Sequence, residues 1–138
     1  MKKVVFLDRD TFPERILIPK LKFKHNWKNY KFTKPVQVIQ RIKNANIIVT
    51  NKTRLSDNEL KAAKSLELIA ITATGTNIVD LNFCRKNNIH LCNLRDYASI
   101  SVAEHVFAMT LNLIKQIKKR LKCLILIVDD STNQDTKK

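Results

Sequence analysis

Apolar and polar positions along the chain switch between two periods, and the switches divide it into alternating strands and helices. Val4–Leu7 is a short apolar run closed by Asp8, which predicts a buried first strand with the acids Asp8 and Asp10 at its carboxyl end. Between Pro19 and Thr33, Phe23, Trp27, Tyr30 and Phe32 interleave with lysines; Tyr30–Thr33 is the expected second strand, and the aromatics are expected in the core rather than on a base-stacking platform. Pro35 can open a helix through Lys43, with Val36, Ile39 and Ile42, joined by Val38, as its apolar face. Asn46–Thr50 reads as a third strand. Ser56 and Glu59 form an S-x-x-E capping box, so a helix is expected from Asp57 to about Lys64 with Leu60 and Ala63 inward. A fourth strand, Leu66–Ala73, runs into Gly75. Val79, Leu81, Phe83 and Cys84 mark a short helix ending near Asn87-Asn88, and Ile89–Leu94 reads as the fifth strand. A second capping box, Ser101 with Glu104, is expected to start the longest helix. Along it Val102, Val106, Met109, Leu113, Ile117 and Leu121 recur at helical spacing, and Ala103, Phe107 and Ile114 widen the face. Strands alternating with helices predict an α/β fold with a parallel sheet and right-handed crossovers.

Composition narrows the function classes only slightly. The 138 residues suffice for one domain, and Lys+Arg 26 against Asp+Glu 12 gives a formal charge of +14. The lysines are spread among Asn and Ile along the whole chain, as a coding bias would spread them. Nucleic acid is therefore not the expected partner. A basic nucleic-acid-interacting fragment would concentrate its charge at Lys115, Lys118, Lys119, Arg120 and Lys122, where a solvated helix end is the favoured reading. Cys84, Cys92 and Cys123 are odd in number and lack CxxC spacing, which fits reduced thiols and a cytoplasmic setting. No apolar stretch reaches the length of a membrane span, and MKKVVFLDRD turns charged too early for a signal peptide, so no membrane partner is expected. No metal-ligand cluster is recognisable.

Candidate chemistry concentrates at the only glycine. In Ala73-Thr74-Gly75-Thr76-Asn77-Ile78-Val79-Asp80 a buried strand ends in a turn where backbone can approach a ligand. The amides of Gly75, Thr76 and Asn77 and two hydroxyls would gather at the carboxyl end of a parallel strand, where anions can bind. A plain strand-to-helix turn capped by Thr76 or Asn77 is the alternative. A second function class rests on Asp8-Arg9-Asp10, Ile47–Thr50 and Ile127–Asp130, which imitate the order of acids and hydroxyl in haloacid dehalogenase-like Mg-dependent phosphatases. Phe12 stands where that pattern wants Thr or Val, and its nearby glycine is absent; a turn or cap role is favoured for Asp10. His105 is expected to be packed or hydrogen-bonded, and His25 and His90 have no catalytic pattern around them.

The segments NIIVTNKTRLS, LELIAITATGTNIVDL, CRKNNIHLCNLRDYAS and SVAEH, in that order from Asn46 to His105, together with the opening VVFLDRDTFP, resemble the amino-terminal part of the D-isomer-specific 2-hydroxyacid dehydrogenases. The similarity is nearest to the glycerate dehydrogenase and hydroxypyruvate reductase subgroup, and it extends over residues 1 to about 117. It implies a flavodoxin-like substrate domain, a five-stranded parallel sheet with helices on both faces, which in the family's two-domain architecture is built from both chain ends around an inserted Rossmann domain. Against that architecture the chain reads as incomplete: 1–117 as a substrate-domain portion, 118–138 as a divergent or truncated segment with a disordered end. The dinucleotide fingerprint needs three glycines and the chain has one, so no cofactor site is expected here. The family's catalytic arginine, acid and histidine would lie beyond Lys138, leaving no catalytic residue in this chain. The resemblance implies that Thr74, Gly75, Thr76 and Asn77 hold the carboxylate of a small 2-hydroxy or 2-keto acid, that Lys52 adds positive charge, and that Val102 faces the nicotinamide of NAD or NADP in a complete enzyme. The expected activity is that of an NAD(P)-dependent oxidoreductase part, inactive alone. The apolar long helix further predicts self-association or pairing with a full-length paralogue.

Overall fold

Five short strands, β1 (Lys2–Phe6), β2 (His25–Asn29), β3 (Ile47–Thr50), β4 (Leu68–Ile71) and β5 (His90–Asn93), pair in parallel in the order β2-β1-β3-β4-β5. This is the flavodoxin-like strand order. The structure is a computed structural model and describes residues 1–117 and 119–121. Residues Met1–Arg95 form one compact unit, and a second begins at Asp96.

Within the first unit the two-residue period of the strands sends alternate side chains to opposite faces. Val5, Leu7, Ile48, Ile69 and Ile71 join Val38 and Ile42 from α1 (Val38–Ile42), Leu60 from α2 (Asp57–Leu60) and Cys84 from α3 (Leu81–Lys86) in the main core. On the other face Val4, Phe6 and Val49 are covered by Phe12, Leu21 and Trp27, from the irregular segment after β1 and from β2. Phe6 and Phe12 meet edge-to-face at 6.2 Å.

The second strand lies five residues earlier than the apolar pattern predicts. Tyr30–Thr33 is not strand; His25–Asn29 pairs with β1 (Val4 with Trp27), and the Tyr30 amide donating to Phe6 O at 2.8 Å closes the ladder. β2 is an edge strand half in solvent, so it needs only one side of apolar residues. Phe23, His25 and Trp27 supply it at period two, with rings 5.5 and 6.2 Å apart. Of the four aromatics expected in the core, Trp27 and Tyr30 pack against it, whereas Phe23 and Phe32 are exposed.

The helix over residues 35–43 starts as a 3-10 turn, Pro35–Gln37, and only then becomes α1. Its inward residues are therefore the i, i+4 pair Val38 and Ile42; Val36, 88% exposed, and Ile39 face solvent instead of forming the expected face. The Ser56–Glu59 capping box forms, but α2 stops at Leu60 rather than Lys64. There Ala62 and Ala63 donate to Glu59 O and Leu60 O, tightening the turn to an i+3 pattern that still buries Leu60 and Ala63. For α3 the cap is Asp80, whose Oδ1 accepts the Phe83 amide at 2.9 Å, not Thr76 or Asn77.

In the second unit α4 runs from Ser99 to Lys115. It begins two residues before the expected Ser101, with Ala98 at the cap position and no side-chain capping bond, so the Ser101–Glu104 pair lies inside the helix rather than at its start. Gln116, at φ 47°, ends it in the left-handed region. Val102, Val106, Phe107, Met109, Leu113, Ile114, Ile117 and Leu121 are exposed, as is His105, which is not packed as expected. Lys118, Lys122, Cys123–Val128 and the acids Asp129 and Asp130 lie outside the described residues.

Burial separates two residues that periodicity places on one helix face. Ile42→Ala should cost about 2–5 kcal/mol and Val36→Ala less than about 0.5 kcal/mol, read as the difference in urea unfolding midpoints at constant slope.

Candidate functional site

In a parallel sheet every strand ends at the same edge, so the loops after β1, β3 and β4 emerge side by side. β1 runs directly into Leu7 and Asp8, both buried. Asp8 is 2% exposed, and its carboxylate accepts hydrogen bonds from five donors at the end of β3 and in the loop after it. The donors are Thr50 Oγ1 (3.0 Å), the amides of Asn51 (2.9 Å), Lys52 (2.7 Å) and Thr53 (2.8 Å), and Thr53 Oγ1 (3.0 Å). Three successive amides pointing at one carboxylate force the loop to wrap around it, and this leaves the Lys52 side chain exposed. Among the described residues the ion pairs are Lys2–Glu67 and Lys61–Asp57, and Lys52 takes part in neither.

Farther along, Leu55 ties this loop to the next. Its amide donates to Ile78 O (2.8 Å) and its carbonyl accepts from the Asp80 amide (3.0 Å), an isolated parallel bridge to Val79. The turn between β4 and that bridge is Thr74-Gly75-Thr76-Asn77. Asn93 Nδ2 donates to Thr74 O (2.7 Å), and the Leu94 amide to Ala73 O (3.1 Å), fastening the turn to β5. Thr74, Gly75 and Asn77 are exposed and Thr76 is half-buried. The amides of Gly75, Thr76 and Asn77 donate to no acceptor among the described residues. Three adjacent N–H groups without a protein acceptor are donors an anion could use.

Gly75 serves this turn differently from what the sequence suggests. It has no positive φ. A Cβ placed on it would meet Asn77 Oδ1 at 3.1 Å, so the missing side chain makes room for Asn77 to fold over the turn.

A cleft of about 520 Å³ opens between the ends of β1 and β3, where the strand order reverses and open α/β sheets bind ligands. Asp8, Thr33, Lys52, Arg54 and Glu59 are among its walls. Of the five residues expected to bind substrate, Lys52 lines this cleft; Thr74, Gly75, Thr76 and Asn77 lie one strand over, joined to it through Leu55. Glu59 is held below the usual carboxylate range, first by the Ser56 hydroxyl, against partial burial, then by the Ser56 amide (2.8 Å) and the Arg54 charge. Burial, with Asp80 nearby, pushes the Cys84 thiol up, which suits a packed rather than a reactive cysteine.

The organising role of Asp8 is not legible in the sequence, where it stands as half of an acidic pair. Asp10, favoured as a turn or cap residue, is exposed, and its amide donates to Lys31 O (3.1 Å). No group of three or more His, Cys, Asp or Glu among the described residues could hold a metal. A dinucleotide does not fit either: the turn after β1 is Asp8-Arg9-Asp10, and the single glycine lies after β4.

Strand order and the cleft at the point where it reverses are those of a flavodoxin-like α/β domain. The chain belongs to the D-isomer-specific 2-hydroxyacid dehydrogenases, whose catalytic-domain pattern matches residues 10–132. It is 41% identical over 111 residues to a Haemophilus influenzae protein assigned as a 2-hydroxyacid dehydrogenase, covering 80% of this chain and 35% of that one. It is 36% identical over 117 residues to the glycerate dehydrogenase of Methylorubrum extorquens, covering 84% of this chain and 37% of the relative. Among solved structures, the D-lactate dehydrogenase of Aquifex aeolicus complexed with NAD and lactic acid superposes with a TM-score of 0.64 at 27% identity, over 88% of this chain and 37% of that one. The chain thus spans a little over a third of the length of these relatives.

Two substitutions probe the local geometry. Gly75→Ala should keep the fold, costing less than about 1 kcal/mol in a thermal melt, because the atom it meets is the free end of a side chain. Glu59→Ala should cost about 1 kcal/mol at neutral pH. Because the folded-state pKa of Glu59 is depressed, its contribution is complete above the ordinary glutamate range and is lost as pH falls through the lowered value. The difference between Glu59→Ala and the wild type should therefore shrink in acid-titrated unfolding curves.

Proposed function

We propose that this chain is the substrate-binding part of an NAD(P)-dependent oxidoreductase acting on the CH–OH group of small D-2-hydroxy acids, of the glycerate and hydroxypyruvate type. The observation that carries this reading is the run of three open amides at Gly75, Thr76 and Asn77, on a turn joined through Leu55 to the loop of the exposed Lys52. A carboxylate needs several directed donors and a nearby positive charge, and the two loops offer both. The Thr74 and Thr76 hydroxyls are available to the neighbouring hydroxyl or keto oxygen. The substrate class is supported by relatives named glycerate dehydrogenase and hydroxypyruvate reductase, and by a solved relative with lactic acid bound.

Hydride transfer is the chemistry of a nicotinamide cofactor, NAD or NADP, and the described residues offer no glycine-rich turn after β1 to hold one. Their part is to bind and orient, which accelerates nothing without the reacting partner. Val102, near the start of α4 and exposed, is the residue we assign to face a nicotinamide in a complete enzyme. The chain alone should therefore show no oxidation of reduced cofactor with glyoxylate or hydroxypyruvate. Turnover above a protein-free control would overturn that part of the reading. Free thiols at Cys84 and Cys92 fit a reduced, cytoplasmic compartment, and no helix among the described residues is long and apolar enough to cross a membrane.

Binding is tested by titrating the isotope-labelled chain with oxalate, a planar 2-keto acid analogue, and following amide resonances. Shifts should centre on Gly75, Thr76 and Asn77, and Lys52→Met should weaken binding by about fivefold, the worth of one unit charge near 4 Å in water. Shifts elsewhere, or none, would reject the site.

The exposed apolar residues of α4 carry a second expectation, self-association of the chain or pairing with a full-length paralogue. Ile117→Lys should raise the monomer fraction in sedimentation; an unchanged fraction would remove α4 from the contact.

A further inference from the structure

The loop after β3 owes its shape to a side chain from another strand. Asp8 sits 43 to 45 positions before Asn51, Lys52 and Thr53 in sequence, and its carboxylate accepts from these three residues and from Thr50, the last residue of β3. From this we infer that Asp8 is a positioning residue: its buried carboxylate fixes where Lys52 stands, and so sets the affinity of the site for a carboxylate ligand without touching the ligand itself. The inference rests on the proposed function for its ligand.

The physical grounds are the burial and the donor count. A carboxylate 2% exposed is costly unless its lone pairs are used, and here three amides and two hydroxyls use them. Those same amides belong to the residues just before, at and just after Lys52, so the backbone at Lys52 has almost no freedom left while the carboxylate is in place. Asparagine at position 8 keeps the volume but replaces one acceptor oxygen with an amide that must point a donor at donors. The loop would then have to open on that side. Oδ2 carries most of the bonds, from Thr50 Oγ1, the Lys52 and Thr53 amides and Thr53 Oγ1, so a single poorly matched atom disturbs the whole set.

Alternative roles for Asp8 fit less well. A nucleophilic carboxylate must present a free oxygen to its substrate, and this one spends both on the loop. A metal-binding role lacks partners, since no cluster of acidic or histidine residues surrounds it among the described residues.

The test is a double-mutant cycle on the whole chain, with oxalate affinity and amide hydrogen exchange as readouts. Asp8→Asn should weaken oxalate about tenfold in the wild-type background and less than about twofold in a Lys52→Met background, because a residue that acts through Lys52 has nothing to position once that charge is gone. Thr53→Val, which leaves the carboxylate and the three amides in place, should give a smaller loss of the same kind. Val4→Ala, a truncation in the smaller core formed with Phe6 and Val49, serves as the stability control: it should lower the melting temperature while leaving affinity and the exchange of the three loop amides unchanged. Exchange at Asn51, Lys52 and Thr53 should rise at least tenfold in Asp8→Asn with the strand amides unaffected. A loss of affinity equal in both Lys52 backgrounds, or exchange that rises uniformly across the sheet as in a merely weakened fold, would overturn the inference. If the wild-type chain binds no oxalate, the functional reading fails, and the exchange data alone then decide the positioning role: loop-specific opening upholds it and unchanged protection rejects it.

Discussion

A single buried carboxylate organises the functional edge of this domain. Burying an ionised group costs several kcal/mol unless its hydrogen-bonding capacity is met, and Asp8 meets it by drawing in the loop that follows the neighbouring strand. The loop has no regular structure of its own to supply partners for its amides at Asn51, Lys52 and Thr53, so the carboxylate and the loop satisfy each other. Because β1 and β3 are hydrogen-bonded neighbours, with Phe6 opposite Val49, the pairing register delivers Asp8 to that loop.

From this anchor the rest of the edge follows. Leu55, two residues past the Asp8-bound segment, bonds through both its backbone groups to the chain leaving the Gly75 turn, and Asn93 at the end of β5 fastens the turn from the other side. Three loops from three strands thus become one surface, with the open amides of Gly75, Thr76 and Asn77 on it and Lys52 on the adjoining loop. The chain belongs to the D-isomer-specific 2-hydroxyacid dehydrogenases, and an anion bound as proposed on this edge would meet dipoles whose ordering cost is borne in folding rather than in binding.

Much of the fold was legible before any coordinates. The runs at Asn46–Thr50, Leu66–Ala73 and Ile89–Leu94 contain β3, β4 and β5, and Val4–Leu7 overlaps β1; the three inner strands β1, β3 and β4 can be buried on two faces and read as continuous apolar stretches. β2 escaped because, unlike the other edge strand β5 with its Ile89–Leu94 run, it has no continuous apolar stretch, and its alternation of Phe23, His25 and Trp27 with lysine and asparagine resembles a solvated loop. Helix boundaries failed for a related reason. Ser101 and Glu104 have the spacing of a cap, yet α4 starts at Ser99, since a capping pattern is a local preference that an adjoining turn can override. Val36 and Ile39 fit a helical stripe only if the helix is regular from Pro35 onward; the opening 3-10 turn shifts the inward face to Val38 and Ile42.

What the sequence determined by itself was the order of elements, the parallel class of the sheet, and the position of the Gly75 turn, since each depends on residues near one another in the chain. The resemblance carried by the TGTN and SVAEH segments belongs to the same level, being a matter of residue identity and spacing. Only the tertiary structure decided what Asp8 does, which side of Gly75 needs space, and that the loop of Lys52 and the turn amides share one edge. These depend on partners 42 or more positions away for Asp8, on the side chain of Asn77 folding back, and on strand register, and none of them leaves a periodic or compositional trace. Local pattern encodes which segments are strand or helix; the chemistry of the edge arises from which strand ends the sheet sets side by side.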